Sequence, residues 1–248
     1  YYYFLCNNKK VYIEKTTYPV FDKDHFNKLT IMIPPLQEQA AIVEKLDLIS
    51  EAIECEEERI HLFTTELNSI KNKSIKEFAI ELLINADDYF FVVPASSSGK
   101  YHPAYADGNM GLIRHTKAVV YFLTEMLRSE LFGFTSDQND CLIVAAMAHD
   151  IKKQGDGSGN RTVGEHPKLA AEYVRRINIK SNLISVEYVD FICSAIETHM
   201  GQWGKRNGLR KPETPSEKLV HLADLIASRK TVNIDFTQLF PELNLIHN

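Results

Sequence analysis

The sequence predicts a mainly α protein: a small α/β fragment, then a long helix, then an all-helical domain. Three observations point there. The first 33 residues are rich in β-branched and aromatic side chains; Gln37 to about Phe78 contains neither proline nor glycine and carries apolar residues at heptad spacing. From Leu112 onward, apolar residues recur at the spacing of helices that bury one face.

The 248 residues suffice for one large domain or two smaller ones, and 44% hydrophobic with 25% charged residues is the composition of a chain that buries a core. A net charge of −5 gives no general attraction to nucleic acid, so any such contact needs a local basic patch. Cys6, Cys55, Cys141 and Cys193 form no CxxC pair and suggest neither a disulfide framework nor a zinc knuckle. A reducing, cytoplasmic setting without membrane contact is expected, since no run approaches the ~20 apolar residues a membrane helix needs. The chain opens at Tyr1 inside an apolar run without an initiating Met, the pattern of a domain entered partway.

Val11-Tyr12-Ile13 and Lys28–Ile33 read as short strands, stopped by Pro34-Pro35 because proline cannot donate to a ladder. Residues 1–36 are therefore taken as the α/β fragment. In residues 37–78, Leu46, Ile53, Ile60 and Leu67 recur every seven residues, with Ile42, Ile49, Phe63 and Ile70 at the complementary positions and Glu56 as the one break. That is a coiled-coil pattern over about four heptads, with an amphipathic helix packed on its own domain as the alternative. Residues 79–248 form the helical domain. A loop-like stretch from about Asn85 to Gly111 leads to a stripe of Leu112, His115, Ala118-Val119, Phe122-Leu123 and Met126-Leu127. Cys141–Ala148 is an apolar helix ending in His149-Asp150, and Leu169–Ile177, Val186–Thr198 and Ser216–Lys230 follow as helices. Ser216 with Glu217 suits the start of the last, and Pro167 suits a first helical turn.

A single histidine on an apolar helix face is usually a packed residue. Here His115 lies on an inner stripe, His149-Asp150 ends a buried-type helix, and Asp224 interrupts Leu219–Ala227. Burying a carboxylate without compensation costs several kcal/mol, so three helices that each turn an ionisable group inward ask for a shared partner. A divalent cation is the simplest, and imidazole with carboxylate suits transition metals better than calcium.

The order His…His-Asp…Asp resembles the signature of the HD superfamily of metal-dependent phosphohydrolases, an all-helical fold, over roughly residues 74–230. Gly-Leu-Ile-Arg-His-Thr at 111–116 resembles the family's GLxxHT, and His149-Asp150-Ile151-Lys152-Lys153 its HDxxK. The resemblance implies that His115, His149, Asp150 and Asp224 hold one metal. It further implies that Asp150 bridges to a second, held by His166 and His199, with one ion as the alternative to two. The ion would be Mn, Fe, Zn, Mg, Co or Ni. Asp150 and Lys153 become the catalytic residues, the lysine neutralising a phosphate oxygen, with Lys152, Arg161 and Arg114 as weaker candidates of that kind. Lys100, Tyr101 and His102 on the polar loop, Arg114, and Trp203 as a stacking surface are the substrate-binding candidates. Their bland readings are a connecting loop and a core cap. The stretch from His199 to Asp224 is also similar to that of HD-type 3′–5′ exoribonucleases.

A second resemblance covers residues 1 to about 75. Pro34-Pro35-Leu36-Gln37-Glu38-Gln39 running into Ile42-Val43 and Leu46 resembles the PPLxEQxxIVxxL motif at the end of a target-recognition domain in type I restriction specificity subunits. It implies contact with DNA or restriction–modification subunits through residues 1–78, and a helix-mediated oligomer. Ten basic and thirteen acidic residues in that segment do not favour DNA. The expected activity is hydrolysis of phosphate esters or phosphodiesters on a phosphorylated small molecule or nucleic-acid end. The rival is a DNA-binding or assembly subunit with a passenger HD domain, and an HD fold that senses its ligand is a third reading.

Overall fold

The computed structural model describes residues 12–13, 20–21, 36–97, 99, 102–129, 131–157, 159 and 161–243. Strands β1 (Tyr12–Ile13) and β2 (Val20–Phe21) pair antiparallel, Tyr12 opposite Phe21. They and the first residues of a helix are all that is described of the N-terminal stretch, so the α/β fragment is not supported as such. Lys28–Ile33 lies outside the described residues. The chain divides into two compact units, residues 1–52 and 53–248.

The long helix expected over 37–78 is interrupted. Helix α1 (Leu36–His61) is followed by α2 (Thr64–Ser69) and α3 (Lys73–Ile84). Phe63, Leu67 and Ile70, which continue the heptad pattern, are buried in the core of the second unit, whereas Ile42, Leu46, Ile49 and Ile53 are 48–58% exposed. The breaks have partners. The Leu62 carbonyl accepts from Lys117 Nζ at 2.7 Å. Asp140 accepts from the N–H groups of Lys71 and Asn72, and the Asn72 side chain caps α3. Tertiary contacts here override the uninterrupted helical pattern.

After the short α4 (Tyr89–Val92) and a 3-10 turn at Ala104–Ala106 come the helices of the core: α5 (Gly111–Arg128), α6 (Ser136–Ala148), α7 (His166–Ser181), α8 (Val186–Thr198) and α9 (Pro215–Ala227). A 3-10 segment, Gly201–Asn207, joins α8 to α9, and α10 (Phe236–Leu239) follows. Helix α6 is central. It packs on α3, α5, α8 and α9, and Asp140 to Ala148 are all buried. This explains its unbroken apolar run, since a helix hydrophobic all round needs neighbours all round.

Local chemistry sets the ends. Thr135 with Gln138 makes a capping box on α6, and Ser185 caps α8. Helix α9 begins one residue earlier than the sequence suggests: Thr214, not Ser216, is the cap, paired with Glu217, and Pro215 occupies the first turn. Gly111 admits α5 against the preceding loop, because a Cβ there would stand 2.4 Å from the Ala106 carbonyl oxygen. Among the described residues, no helix is long and apolar enough to cross a membrane.

Candidate metal centre

Six side chains from five parts of the fold meet at one end of α6. His115 comes from the first turns of α5, His149 and Asp150 from the end of α6, and His166 from the start of α7. His199 comes from the end of α8 and Asp224 from the last turn of α9. All but Asp224 are buried, and its side chain is 19% exposed. Two helices, α6 and α8, aim their C-terminal carbonyl ends here, an electrostatic setting that favours a cation.

Asp150 divides the group. Its Oδ2 faces His149 Nε2 at 3.3 Å and His115 Nε2 at 3.8 Å, and Asp224 Oδ1 lies 3.1 Å from His115 Nε2 and 3.9 Å from His149 Nε2. Its Oδ1 faces His166 Nε2 at 2.9 Å and His199 Nε2 at 3.6 Å, those two nitrogens being 3.2 Å apart. Within each trio, His115–His149–Asp150 and Asp150–His166–His199, the ligand atoms lie within 4.8 Å of one another.

Three of the imidazoles are oriented in the same way. Nδ1 of His149, His166 and His199 each lies 2.7 Å from the carbonyl three residues earlier, of Ala146, Val163 and Ile196. A carbonyl can only accept, so Nδ1 carries the proton and Nε2 turns its lone pair to the centre. Yet His149 Nε2, both ring nitrogens of His115 and Asp150 Oδ1 are buried without a hydrogen-bond partner. Buried polar atoms are rarely left so. Convergent imidazole lone pairs around the two oxygens of Asp150, of which Oδ1 has no hydrogen-bond partner, fit a divalent cation, and two groups sharing Asp150 fit two.

The electrostatics agree. Burial would raise the Asp150 pKa, but Lys153, His149 and His166 outweigh it and hold the carboxyl well below its usual range. Asp224 is likewise held down against burial, chiefly by His115. Burial lowers His115 and His166, whereas at His149 the neighbouring Asp150 overcomes burial and the pKa rises.

The other candidates separate. Lys153 Nζ lies 2.5 Å from Asp150 Oδ2, so it belongs to the centre, while Lys152 turns away to Asp87. His102 stacks edge-on to His115 at 4.7 Å, its pKa pushed down to about 3 by burial, then by His115 and Lys153. Arg114 is not among these groups: its guanidinium donates to the carbonyls of Tyr105 and Asp107. Trp203, 46% exposed, stands between His221 and Arg229, with ring centroids 6.1 Å apart for the former and Cζ 5.8 Å from the ring for the latter. Lys100 and Tyr101 lie outside the described residues. His221 had not been singled out. It accounts for Gly201, since a Cβ there would stand 2.3 Å from its ring, and its Nδ1 donates to the His199 carbonyl at 2.6 Å. The sequence offered one signal, a histidine three residues before Asp224 on the same helix.

The comparisons with known proteins agree with both resemblances. Residues 112–229 match the family model of the HD domain, and residues 1–64 match that of the type I restriction modification DNA specificity domain. No curated protein and no solved structure matches the chain. All six converging side chains fall inside the first match. The helical unit thus carries an HD domain at residues 112–229, in a chain whose residues 1–64 match the type I restriction modification DNA specificity domain.

Proposed function

We propose that the HD domain is a metal-dependent phosphohydrolase acting on phosphate esters or phosphodiesters, with nucleotides or nucleic-acid ends as substrates. The reading rests on one observation above all: imidazole nitrogens and a carboxylate oxygen are buried, convergent and unpartnered. His115, His149, Asp150 and Asp224 would hold one divalent ion, and Asp150, His166 and His199 a second. Such ions supply Lewis acidity that lowers the pKa of a water and neutralises charge on phosphoryl oxygens. The backbone carbonyls behind His149, His166 and His199 keep the three rings from rotating. Lys153 donates to a non-bridging phosphate oxygen as charge grows there. Water oxygen bonds to phosphorus, the ester P–O bond breaks with its electron pair on the alcohol oxygen, and a proton from that water ends on the alcohol. No side-chain nucleophile is required. Trp203 would stack on a base.

The test is release of p-nitrophenol from bis-p-nitrophenyl phosphate by chelator-treated protein given Mn, Fe, Zn, Mg, Co or Ni. We expect turnover that depends on added metal and falls by at least about a thousandfold in His149→Ala and Asp150→Ala. Turnover retained in both variants overturns the assignment. The match at residues 1–64 favours a second reading, a DNA-binding or assembly subunit of a type I restriction–modification system that carries the HD domain as a passenger. A gel shift with duplex DNA and capture of a methyltransferase partner, without metal-dependent turnover, would favour it.

A further inference from the structure

The turn that follows His149 and Asp150 carries two adjacent lysines, and their ammonium groups part. Lys153 Nζ lies 2.5 Å from Asp150 Oδ2, whereas Lys152 Nζ lies 2.5 Å from Asp87 Oδ2. A buried carboxylate attracts any cation within reach, and a lysine is a point charge on a flexible four-carbon stem. Something must choose between the two.

The choice is made from outside the turn. Asp87 stands just before α4, and Tyr89 opens that helix. Asp87 holds Lys152, whose Nζ also lies 5.0 Å from the centre of the Tyr173 ring. The Tyr89 hydroxyl grips the backbone on both sides of Lys153. It donates toward the carbonyls of Ile151 and Gly155, each at 3.3 Å, and accepts the Gln154 N–H at 3.2 Å. Burial pushes the phenol pKa up, so the hydroxyl keeps the proton it donates. Gly157, at φ 80°, passes over the ring, where a Cβ would stand 3.2 Å from it. The Lys153 carbonyl accepts from the Val163 N–H at 2.9 Å, and the Val163 carbonyl accepts from His166 Nδ1. The segment that carries Asp87 and Tyr89 is itself anchored. Arg59, near the end of α1, donates to the carbonyls of Ile84 and Ala86 at 2.9 Å and pairs with Asp88.

We propose that Tyr89 and Asp87 are positioning residues for Lys153. Tyr89 fixes the backbone from which the lysine reaches, and Asp87 keeps Lys152 from taking its place at Asp150. The proposal rests on the phosphohydrolase reading for what Lys153 does there, which is to donate to a phosphate oxygen. Neither positioning residue touches the reacting atoms. If the phenol only filled space, phenylalanine would serve as well.

A double-mutant cycle on metal-loaded full-length protein decides between these, with bis-p-nitrophenyl phosphate as substrate. We expect Tyr89→Phe to lower kcat about tenfold with little change in KM, the scale of a catalytic group displaced by a fraction of an ångström. In a Lys153→Met background the same change should cost less than about twofold, because its effect passes through the lysine. Equal losses in both backgrounds would make Tyr89 a purely structural residue and overturn the proposal. A second measurement needs no turnover: acetylation of Lys153 by N-hydroxysuccinimidyl acetate, read by mass spectrometry against Lys73. The side chains are 12% and 88% exposed, so Lys73 serves as the freely reacting reference. Lys153 should label severalfold faster in Tyr89→Phe, where its turn loosens, and in Asp87→Asn, where Lys152 displaces it. Labelling at the wild-type rate in both variants overturns the proposal. Turnover missing from the wild type defeats the hydrolase reading instead, and the labelling then decides the positioning alone.

Discussion

Helix α5 carries two buried ionisable groups two residues apart, and they are treated in opposite ways. His115 is fully buried, its Nδ1 is without a partner, and its Nε2 only faces the carboxylates of Asp224 and Asp150, at 3.1 and 3.8 Å. Lys117 is equally buried, but its Nζ donates to the Leu62 carbonyl at 2.7 Å and to Glu66 Oε2 and Glu242 Oε1 at 2.6 Å each, with the rings of Phe63 and Phe240 about it. Every ammonium proton is used, and only Glu66 Oε1 is left over. Burial lifts the Glu66 pKa against the pull of Lys117. Glu242 is held below its usual value, because Lys117 outweighs burial there. The contrast teaches a rule for this fold. A buried charge completed by the chain itself is architecture, here fastening the segment after α1 and the one after α10 to α5. A buried donor set left incomplete asks for something from outside.

If that rule is right, breaking the complete cluster should damage folding most. Lys117→Met leaves two carboxylates in a dry site, and we expect a loss of about 3–5 kcal/mol in urea unfolding. Adding Glu66→Gln and Glu242→Gln to it should recover most of that, since removing all the charges removes the desolvation problem with them. A loss under about 1 kcal/mol in the single variant would place Lys117 outside the architecture and undo the contrast.

The incomplete cluster should respond to metal instead. An ion that binds only the folded state stabilises by about 2.7 kcal/mol when present at 100 times its dissociation constant. Thermal unfolding before and after chelation should show a shift of that order in the wild type, a similar one in Lys117→Met, and none in His149→Ala. A wild type indifferent to metal would mean that the unpartnered nitrogens have no ligand of that kind.

How far the sequence reveals these two clusters depends on the signal each leaves. His115, His149, Asp150 and Asp224 stand out because each is polar in an apolar helical setting, whereas His166 and His199, in polar surroundings, emerge only through the HD resemblance, which relates all six across some 110 residues of sequence. Lys117 is just as anomalous: Gly111 to Val120 are buried except for Arg114, so a lysine in their midst also needed a partner. Nothing local names Glu66 or Glu242, which are far away in the chain and acquire meaning only in the fold. The heptad run misleads for a related reason. Its period is continuous through Phe63, Leu67 and Ile70, and spacing alone does not distinguish a stripe facing another helix from one bending into its own core. Arg114, a candidate phosphate contact by sequence, adjoins His115, but side chains adjacent on a helix point in different directions, and its guanidinium goes to loop carbonyls.

Helix α9 offers the smallest and sharpest version of the contrast, since it holds a completed carboxylate at its start and Asp224 at its end. Glu217 accepts from Arg210, from the Ser194 hydroxyl at 2.5 Å and from the N–H groups of Glu213 and Thr214. Burial pushes its pKa up, but these donors, Arg210 first, prevail and bring it from the usual 4.5 to about 2. A depressed carboxyl pKa stabilises the fold above pH 4.5, and that contribution is lost as pH falls from there toward 2. Arg210 is half exposed and the pair is partly screened, so the contribution is on the order of 2 kcal/mol. Urea unfolding should therefore separate wild type from Glu217→Gln by about that much at pH 6, and by much less at pH 3. A gap that does not narrow in acid would show that Gln fails for reasons of packing, and Glu217 would then no longer exemplify a charge that the chain completes by itself.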